Sequence, residues 1–416
     1  MSATLTNPIP AAVPRAPDGL WFGKDLSTPE PIPEVAIERA VALMRSGRLH
    51  RYGEQGSGYP EPSLLEQDYA AYVGSKYCVA VSSCGAAMFI ALKALGVKAG
   101  DKVLTSTFTL SPVPGAIAHA GAEAVLIETS ADYMTDLQDL ERKAVSSGAK
   151  VFLLSHMRGH IADLQAVRAI CDKYGIAVIE DCAHTMGAKW DGKHTGTWGK
   201  VGCYSAQTYK HINSGEGGLL VTDDDDVAAQ AILMSGCYMM HDQHILRPSA
   251  DVFERWKYVT PNFSMRMSNL AAALLRPQIG QIADRGRRWN HIYATLEREL
   301  SRAKHVSVPA RQAKEEFVAS SIQFTLDLKP RQIERFLKEC DVRGLYIKWF
   351  GTPAPVAFTS NYAHWQYLTN KPDIPKSMDI LNQLLDLRTP LSLTNDDCVL
   401  IGQIVAATSR IAGAAD

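Results

Sequence analysis

No CxxC pair occurs among the eight cysteines, and several of them sit in apolar, strand-like runs. Buried thiols in a reducing compartment are therefore expected, rather than disulfides or zinc. Nor does any apolar run approach the roughly 20 residues that a membrane span requires. The first stretch, MSATLTNPIPAAVPRAPDGL, is proline-rich and lacks the continuous apolar core of a secretory signal. Neither sign of charge is in excess. The formal net charge is −1 and there is no basic block, which removes the electrostatic footprint of a nucleic-acid or acidic-membrane binder. Internal repeats and low-complexity tracts are also missing. These absences leave the expectation of a soluble, cytoplasmic protein whose 416 residues suffice for one large domain and a smaller one.

Most of the chain is filled by alternating strand and helix patterns. Proline punctuates the start, at Pro8, Pro10, Pro14 and Pro17, so residues 1–33 read as an extended arm. A helix is expected from Glu34 to Gly47, then a glycine-rich loop around HRYGEQGSGYP and a second helix in SLLEQDYAAYVG. CVAVSSCGAAMFIALKALGV reads as strand, tight turn and helix, and KVLTSTFTLSPVPGAIAHAGAEAVLIE as strand, loop, helix and strand. Residues 150–188 repeat that order. Such alternation predicts a mostly parallel sheet sandwiched by helices, with ligands beyond the carboxyl ends of its strands. The four aspartates 223–226 read as a helix start rather than a metal site, because contiguous carboxylates point in different directions. Residues 241–259 show little pattern and are expected to form a surface excursion. From about Ala283 a long amphipathic helix leads into a smaller α+β unit. The division expected is thus 1–33 arm, 34–282 large α/β domain and 283–416 small C-terminal domain.

One stretch concentrates chemistry. In VGCYSAQTYKHINSGEGGLLV, residues 201–221, two strand-like runs flank a polar bend and Lys210 stands just before it. Upstream, Ala177-Val178-Ile179 ends in Glu180-Asp181, with His184 following. A carboxylate at the end of a buried strand and a lysine one strand later is the pairing that pyridoxal phosphate chemistry uses. The lysine forms a Schiff base, and the acid keeps the pyridine nitrogen protonated.

The run EDCAHTMG and the spacing Ser205, Lys210, Glu216-Gly217-Gly218 resemble the family of sugar aminotransferases named after DegT, DnrJ, EryC and StrS. The resemblance runs, more loosely, from about Arg51 to the end of the chain. It implies a fold type I pyridoxal phosphate enzyme that moves an amino group from glutamate or glutamine to a keto group of a sugar, sugar acid or nucleotide-linked sugar. A cyclitol or keto acid acceptor, or a dehydratase or eliminase using the same cofactor, is the alternative. In the dehydratase branches a histidine replaces the lysine. Six residues back from Glu216 stands Lys210, not His211, which favours transamination.

Site roles follow from the same resemblance. Asp181 would pair with the ring nitrogen, His184 would lie beside the ring and Ser205 would hold the phosphate. Ser83, Cys84 and Gly85 fall where a helix begins, either as a phosphate seat of backbone N–H groups or as a plain helix cap. Either Leu110 or Phe108 packs on the ring. Tyr52 lies in a loop that is either an ordinary connector or a border of the substrate pocket. Arg158, between His156 and His160, either binds a donor carboxylate in two-pronged fashion or forms a surface ion pair. Residues 260–280 resemble the family's interface segment, with Arg266-Met267-Ser268 matching directly. Which of Asn262, Ser264 and Arg266 reaches a neighbour's phosphate is left open, and a homodimer with shared active sites is implied.

Overall fold

The computed structural model describes residues 16–53, 58–354, 361–368 and 374–414. The first 15 residues of the expected arm lie outside these, and residues 16–33 form neither helix nor strand. Two helices come first, α1 (Glu34–Ser46) and α2 (Glu61–Val73). Each stops at a glycine, Gly47 or Gly74, in the left-handed conformation that other residues avoid.

Strand and helix then alternate through β1 (Tyr77–Val81), α3 (Cys84–Ala94), β2 (Lys102–Ser106), α4 (Pro112–His119), β3 (Glu123–Ile127), α5 (Leu137–Ser147), β4 (Val151–Ser155), α6 (Leu164–Lys173) and β5 (Ala177–Asp181). A hairpin, β6 (Lys189–Trp190) and β7 (Lys193–His194), leads into β8 (Val201–Ser205), β9 (Gly218–Thr222) and α7 (Asp225–Ser235). Seven strands form one sheet in the order β1-β9-β8-β5-β4-β2-β3. β9 runs against its neighbours β1 and β8, and the pairs from β8 to β3 are parallel. Strands β1, β4, β8 and β9 are buried along their whole length, because helices cover both faces. This is the mostly parallel α/β fold expected from the sequence.

The aspartate run begins a helix, with Asp224 accepting a bond from the Val227 N–H as the cap of α7. The excursion after it is more ordered than its sequence suggests. It contains α8 (Ala250–Trp256), and His244 is wholly buried rather than at the surface. Next come α9 (Asn269–Leu275) and α10 (Ile282–Leu300), the long helix expected from about Ala283. The remainder comprises β10 (Val306–Ser307), β11 (Glu315–Glu316), β12 (Ser321–Leu326), α11 (Pro330–Val342), β13 (Lys348–Trp349), α12 (Pro375–Gln383), β14 (Leu384–Arg388) and α13 (Asn395–Gly413). Strands β10-β12-β14-β13 make an antiparallel sheet, while β11 pairs with β6. A single apolar cluster joins the two large sheets. Leu104, Phe152 and Val178 meet Ile322, Phe324 and Leu385 through Trp289, Tyr293 and Leu296 of α10. All eight cysteines are unpaired and buried. Among the described residues, no helix is long and apolar enough to cross a membrane.

Candidate active site

Parallel pairing places Ser155, the last residue of β4, beside Asp181, the last of β5, and Asp181 beside Cys203 of β8. The carboxyl ends of these strands open on a cavity of about 550 Å³, within the size range of small-ligand sites. Lys210 enters it from the bend after β8, where its N–H donates to the Gln207 carbonyl at 2.9 Å.

Asp181 is tied down on both oxygens. Ser155 Oγ donates to Oδ2 at 2.8 Å and the Ala183 N–H to Oδ1 at 3.1 Å. The Cys84 thiol lies 3.8 Å from Oδ1. Behind Ser155, Thr109 Oγ1 donates to its hydroxyl at 2.8 Å. A chain from Thr109 through Ser155 thus ends on the carboxylate and fixes its orientation. Sequence reading missed both hydroxyls. The available signal was that a strand-end side chain in a parallel sheet faces the end of the next strand.

Lys210 Nζ stands 3.2 Å from His184 Nε2. Burial of the amine, with the positive charge of Arg158 and to a lesser degree Arg388, pulls its pKa down to about 8, against the opposing pull of Asp181. Burial and the neighbouring Lys210 charge hold His184 well below its ordinary value, so its imidazole is neutral and can accept from the lysine. His211, next in sequence, turns away. Its ring packs edge-on against Trp289 at 5.1 Å, and burial brings its pKa down to about 3.

Opposite the lysine, Ser83 caps α3 by accepting from the Ala86 N–H at 3.0 Å. The first N–H groups of a helix have no acceptor within it, so the Ser83-Cys84-Gly85 turn offers donors and a positive helix end to the cavity it lines. The second glycine of the EGG run explains itself here. A β-carbon on Gly218 would collide with the Ser83 backbone carbonyl, so only glycine lets β9 pass beneath this turn. Ser205, at the end of β8, adds a hydroxyl on the same wall.

These groups match pyridoxal phosphate piece by piece. Helix-end donors and the Ser205 hydroxyl suit the phosphate, a fixed carboxylate suits the pyridinium nitrogen, and an amine of lowered pKa suits the aldehyde. Leu110 is on the cavity wall. Phe108 is not; it is 2% exposed and packs edge-on against Phe350 at 5.1 Å in an apolar cluster.

Other expected positions are placed elsewhere in the chain. Tyr52 does not line the cavity. Its hydroxyl bonds His244 Nε2 at 2.8 Å, because its loop folds onto a buried network in which Glu66 takes both Arg51 and His244. Asn262 and Arg266 also lie off the wall. Asn262 Oδ1 accepts from the Ser264 N–H, and Arg266 reaches Ser264 Oγ at 2.9 Å. That loop is pinned next to the Ser83-Cys84-Gly85 turn by the Ser82 N–H donating to Met265 O at 2.7 Å. His156 pairs with Glu180 at 3.1 Å and His160 with Gln323 at 2.9 Å, both in the interior. Although His156, Glu180 and Cys182 are close together, Glu180 is already occupied by the N–H groups of Gly196, Trp198 and Gly199. Arg158 does line the cavity, with φ of 56° and a 2.7 Å ion pair to the buried Asp386. Two further walls had no sequence signal: Leu26 to Glu30 of the arm, and Arg388, the last residue of β14, with Thr389 to Leu391 after it.

Comparison with known proteins bears on the family and the fold. A spore coat polysaccharide biosynthesis protein, SpsC of Bacillus subtilis (strain 168), is 28% identical over 386 residues, covering 91% of this chain and 95% of the relative. Among solved structures, the aminotransferase TlmJ from Streptoalloteichus hindustanus superposes with a TM-score of 0.79 at 20% identity, covering 93% of this chain and 99% of that one. A putative sugar aminotransferase, Spr1654 from Streptococcus pneumoniae, in its PMP-form gives 0.78 at 19% identity, with coverage of 92% and 99%. At such identities these structures speak for the fold alone. The family match is broader in meaning, because it spans residues 34–406 and takes in every wall of the cavity except the arm. The chain belongs to the DegT/DnrJ/EryC1/StrS aminotransferase family.

Proposed function

We propose that this chain is a pyridoxal phosphate-dependent aminotransferase that carries an amino group from glutamate or glutamine to a keto group of a sugar, sugar acid or nucleotide-linked sugar. The observation that carries the reading is the convergence of Lys210, His184, Asp181 and Ser205 on one cavity. A saccharide acceptor is supported by the family and by the polysaccharide role in the name of the SpsC relative.

When bound, the cofactor supplies an aldehyde for amines and a ring that accepts electrons from the substrate. The protein does the rest. The N–H groups of the Ser83-Cys84-Gly85 turn and Ser205 Oγ bind the phosphate, and Leu110 packs on the ring. Asp181, oriented by Ser155, holds a proton at the ring nitrogen. Lys210 Nζ, with its pKa lowered to about 8, would take the proton from the substrate α-carbon and deliver it two atoms along, past the nitrogen being transferred. His184 Nε2 holds that amine in place.

The Asn262–Arg266 loop serves the neighbouring subunit of a homodimer in this reading. Its support is the exposure of Tyr238, Met239, Tyr258 and Val259, in the chain that leads up to this loop, at 56%, 91%, 85% and 68%. Eight buried, unpaired thiols fit a cytoplasmic setting.

The test is spectroscopic. Purified protein is mixed with pyridoxal phosphate, then with L-glutamate or L-glutamine. Conversion of the bound cofactor's absorbance to that of its amine form, reversed by a keto sugar, is expected. An absorbance that neither donor changes would overturn transamination.

A further inference from the structure

Arg158 and Arg388 both line the cavity, but their charges are handled differently. Asp386 Oδ2 pairs with Arg158 at 2.7 Å, and its other oxygen, Oδ1, accepts from Gln323 Nε2 at 2.7 Å. Both oxygens are therefore engaged. Arg388 lies two residues along β14, on the same face of the strand as Asp386. Among the described residues it ion-pairs with no carboxylate.

The carboxylates nearby are otherwise engaged. Glu30 on the cavity wall pairs with Arg288 at 3.5 Å. Asp25 feels the Arg388 charge, but its oxygens accept from the Ser27 N–H at 2.7 Å, Ser27 Oγ at 2.6 Å and Thr28 Oγ1 at 3.4 Å. Lys348, paired across the sheet with Asp386, adds a third cation to the group. Burial, with the charge of Arg158, depresses its amine to about 8. The guanidinium of Arg388 lies 4.2 Å from the centre of the Tyr209 ring. Stacking uses the face of the guanidinium and leaves its in-plane N–H donors, the fork that matches a carboxylate.

We infer that Arg388, held over Tyr209 beside the neutralised Arg158–Asp386 pair, is a substrate-binding residue that takes a carboxylate carried by a substrate of this enzyme. The inference rests on the aminotransferase reading for what the substrate is, and on the charge arrangement for the subsite. Two sources share that chemistry, the amino donor and an acceptor of the sugar-acid class.

The experiment uses the enzyme loaded with pyridoxal phosphate and three unreactive probes in calorimetry, namely glutarate, glucuronate and glucose. In R388Q, at least one acidic probe is expected to bind about tenfold or more weakly. Glucose binding and the bound cofactor's absorbance are expected to stay as in wild type, which checks the fold, and R388K should recover part of the loss. Dependence on Arg388 for glutarate alone identifies the donor carboxylate, with KM for L-glutamate rising and kcat nearly constant. Dependence for glucuronate alone identifies an acidic acceptor. Wild-type affinity of R388Q for both acids overturns the inference, as does wild-type protein that binds neither. If neither amino donor discharges the wild-type cofactor, transamination fails, while the probe titrations still decide the role of Arg388.

Discussion

At the floor of the cavity Asp181 accepts from Ser155 and Ala183, and Lys210 lies against His184, whereas at its rim Arg388 has no carboxylate at ion-pair distance among the described residues. The floor is assembled from the ends of adjacent strands, so its groups are positioned by sheet hydrogen bonds and matched to one another in advance. The rim comes from β14 and from the arm, and it keeps cationic capacity unspent. A cofactor that stays bound calls for the first arrangement, because preorganised groups need no rearrangement as charge moves. A substrate that comes and goes calls for the second, because a charge already satisfied by the protein has little left to give.

The contrast can be broken at several points. The largest effect is expected at Lys210. K210A should lower turnover by about a thousandfold or more, since Lys210 is the only lysine among the described residues that line the cavity; single-turnover absorbance measures it, and a tenfold effect would disprove the role. Next comes Arg158, the cavity cation that Asp386 neutralises. R158M leaves Asp386 buried without its partner, at a cost of about 3–5 kcal/mol, so thermal unfolding should shift down clearly, while R388Q should unfold close to wild type. Equal shifts in the two variants would erase the distinction drawn between them. On the floor, S155A removes one donor from the Asp181 carboxylate and should weaken cofactor binding about tenfold, read by fluorescence titration; unchanged affinity would make the Thr109–Ser155 chain incidental.

The smallest effect concerns pH. In the proposed role, only the neutral Lys210 amine captures the cofactor aldehyde, and its pKa is lowered to about 8 by burial first and by neighbouring cations second. Capture by the cofactor-free protein should therefore speed up as pH rises toward about 8 and level off above it. Removing the Arg388 charge takes away one influence that lowers the pKa, so the midpoint in R388Q should move to higher pH. A stopped-flow profile that moves the other way would contradict the assignment.

How much of this was legible beforehand depends on distance along the chain. Asp181, His184, Ser205 and Lys210 lie within thirty residues, and their spacing around two strand ends was enough to set them on one crevice. The choice between Leu110 and Phe108 was not legible, because it depends on which residue Phe350 claims for the apolar cluster, more than two hundred positions away. Tyr52 was equally hidden, since its partner His244 sits in a segment with no periodic pattern.

By itself, then, the sequence determined the alternating α/β plan and the lysine with its acid, while the need for glycine at 218 came from the close approach of the Ser83 backbone. Periodicity and short spacing express constraints that neighbouring residues impose on one another. Only the tertiary structure decided which arginine is paired with a carboxylate and which, among the described residues, is not. Asp386 stands as close to Arg388 in sequence as two strand residues on one face can, yet it is Arg158, carried in from the end of β4, that occupies it. Such a pairing is settled by packing two sheets against α10, where proximity is bought by burial rather than by adjacency in the chain.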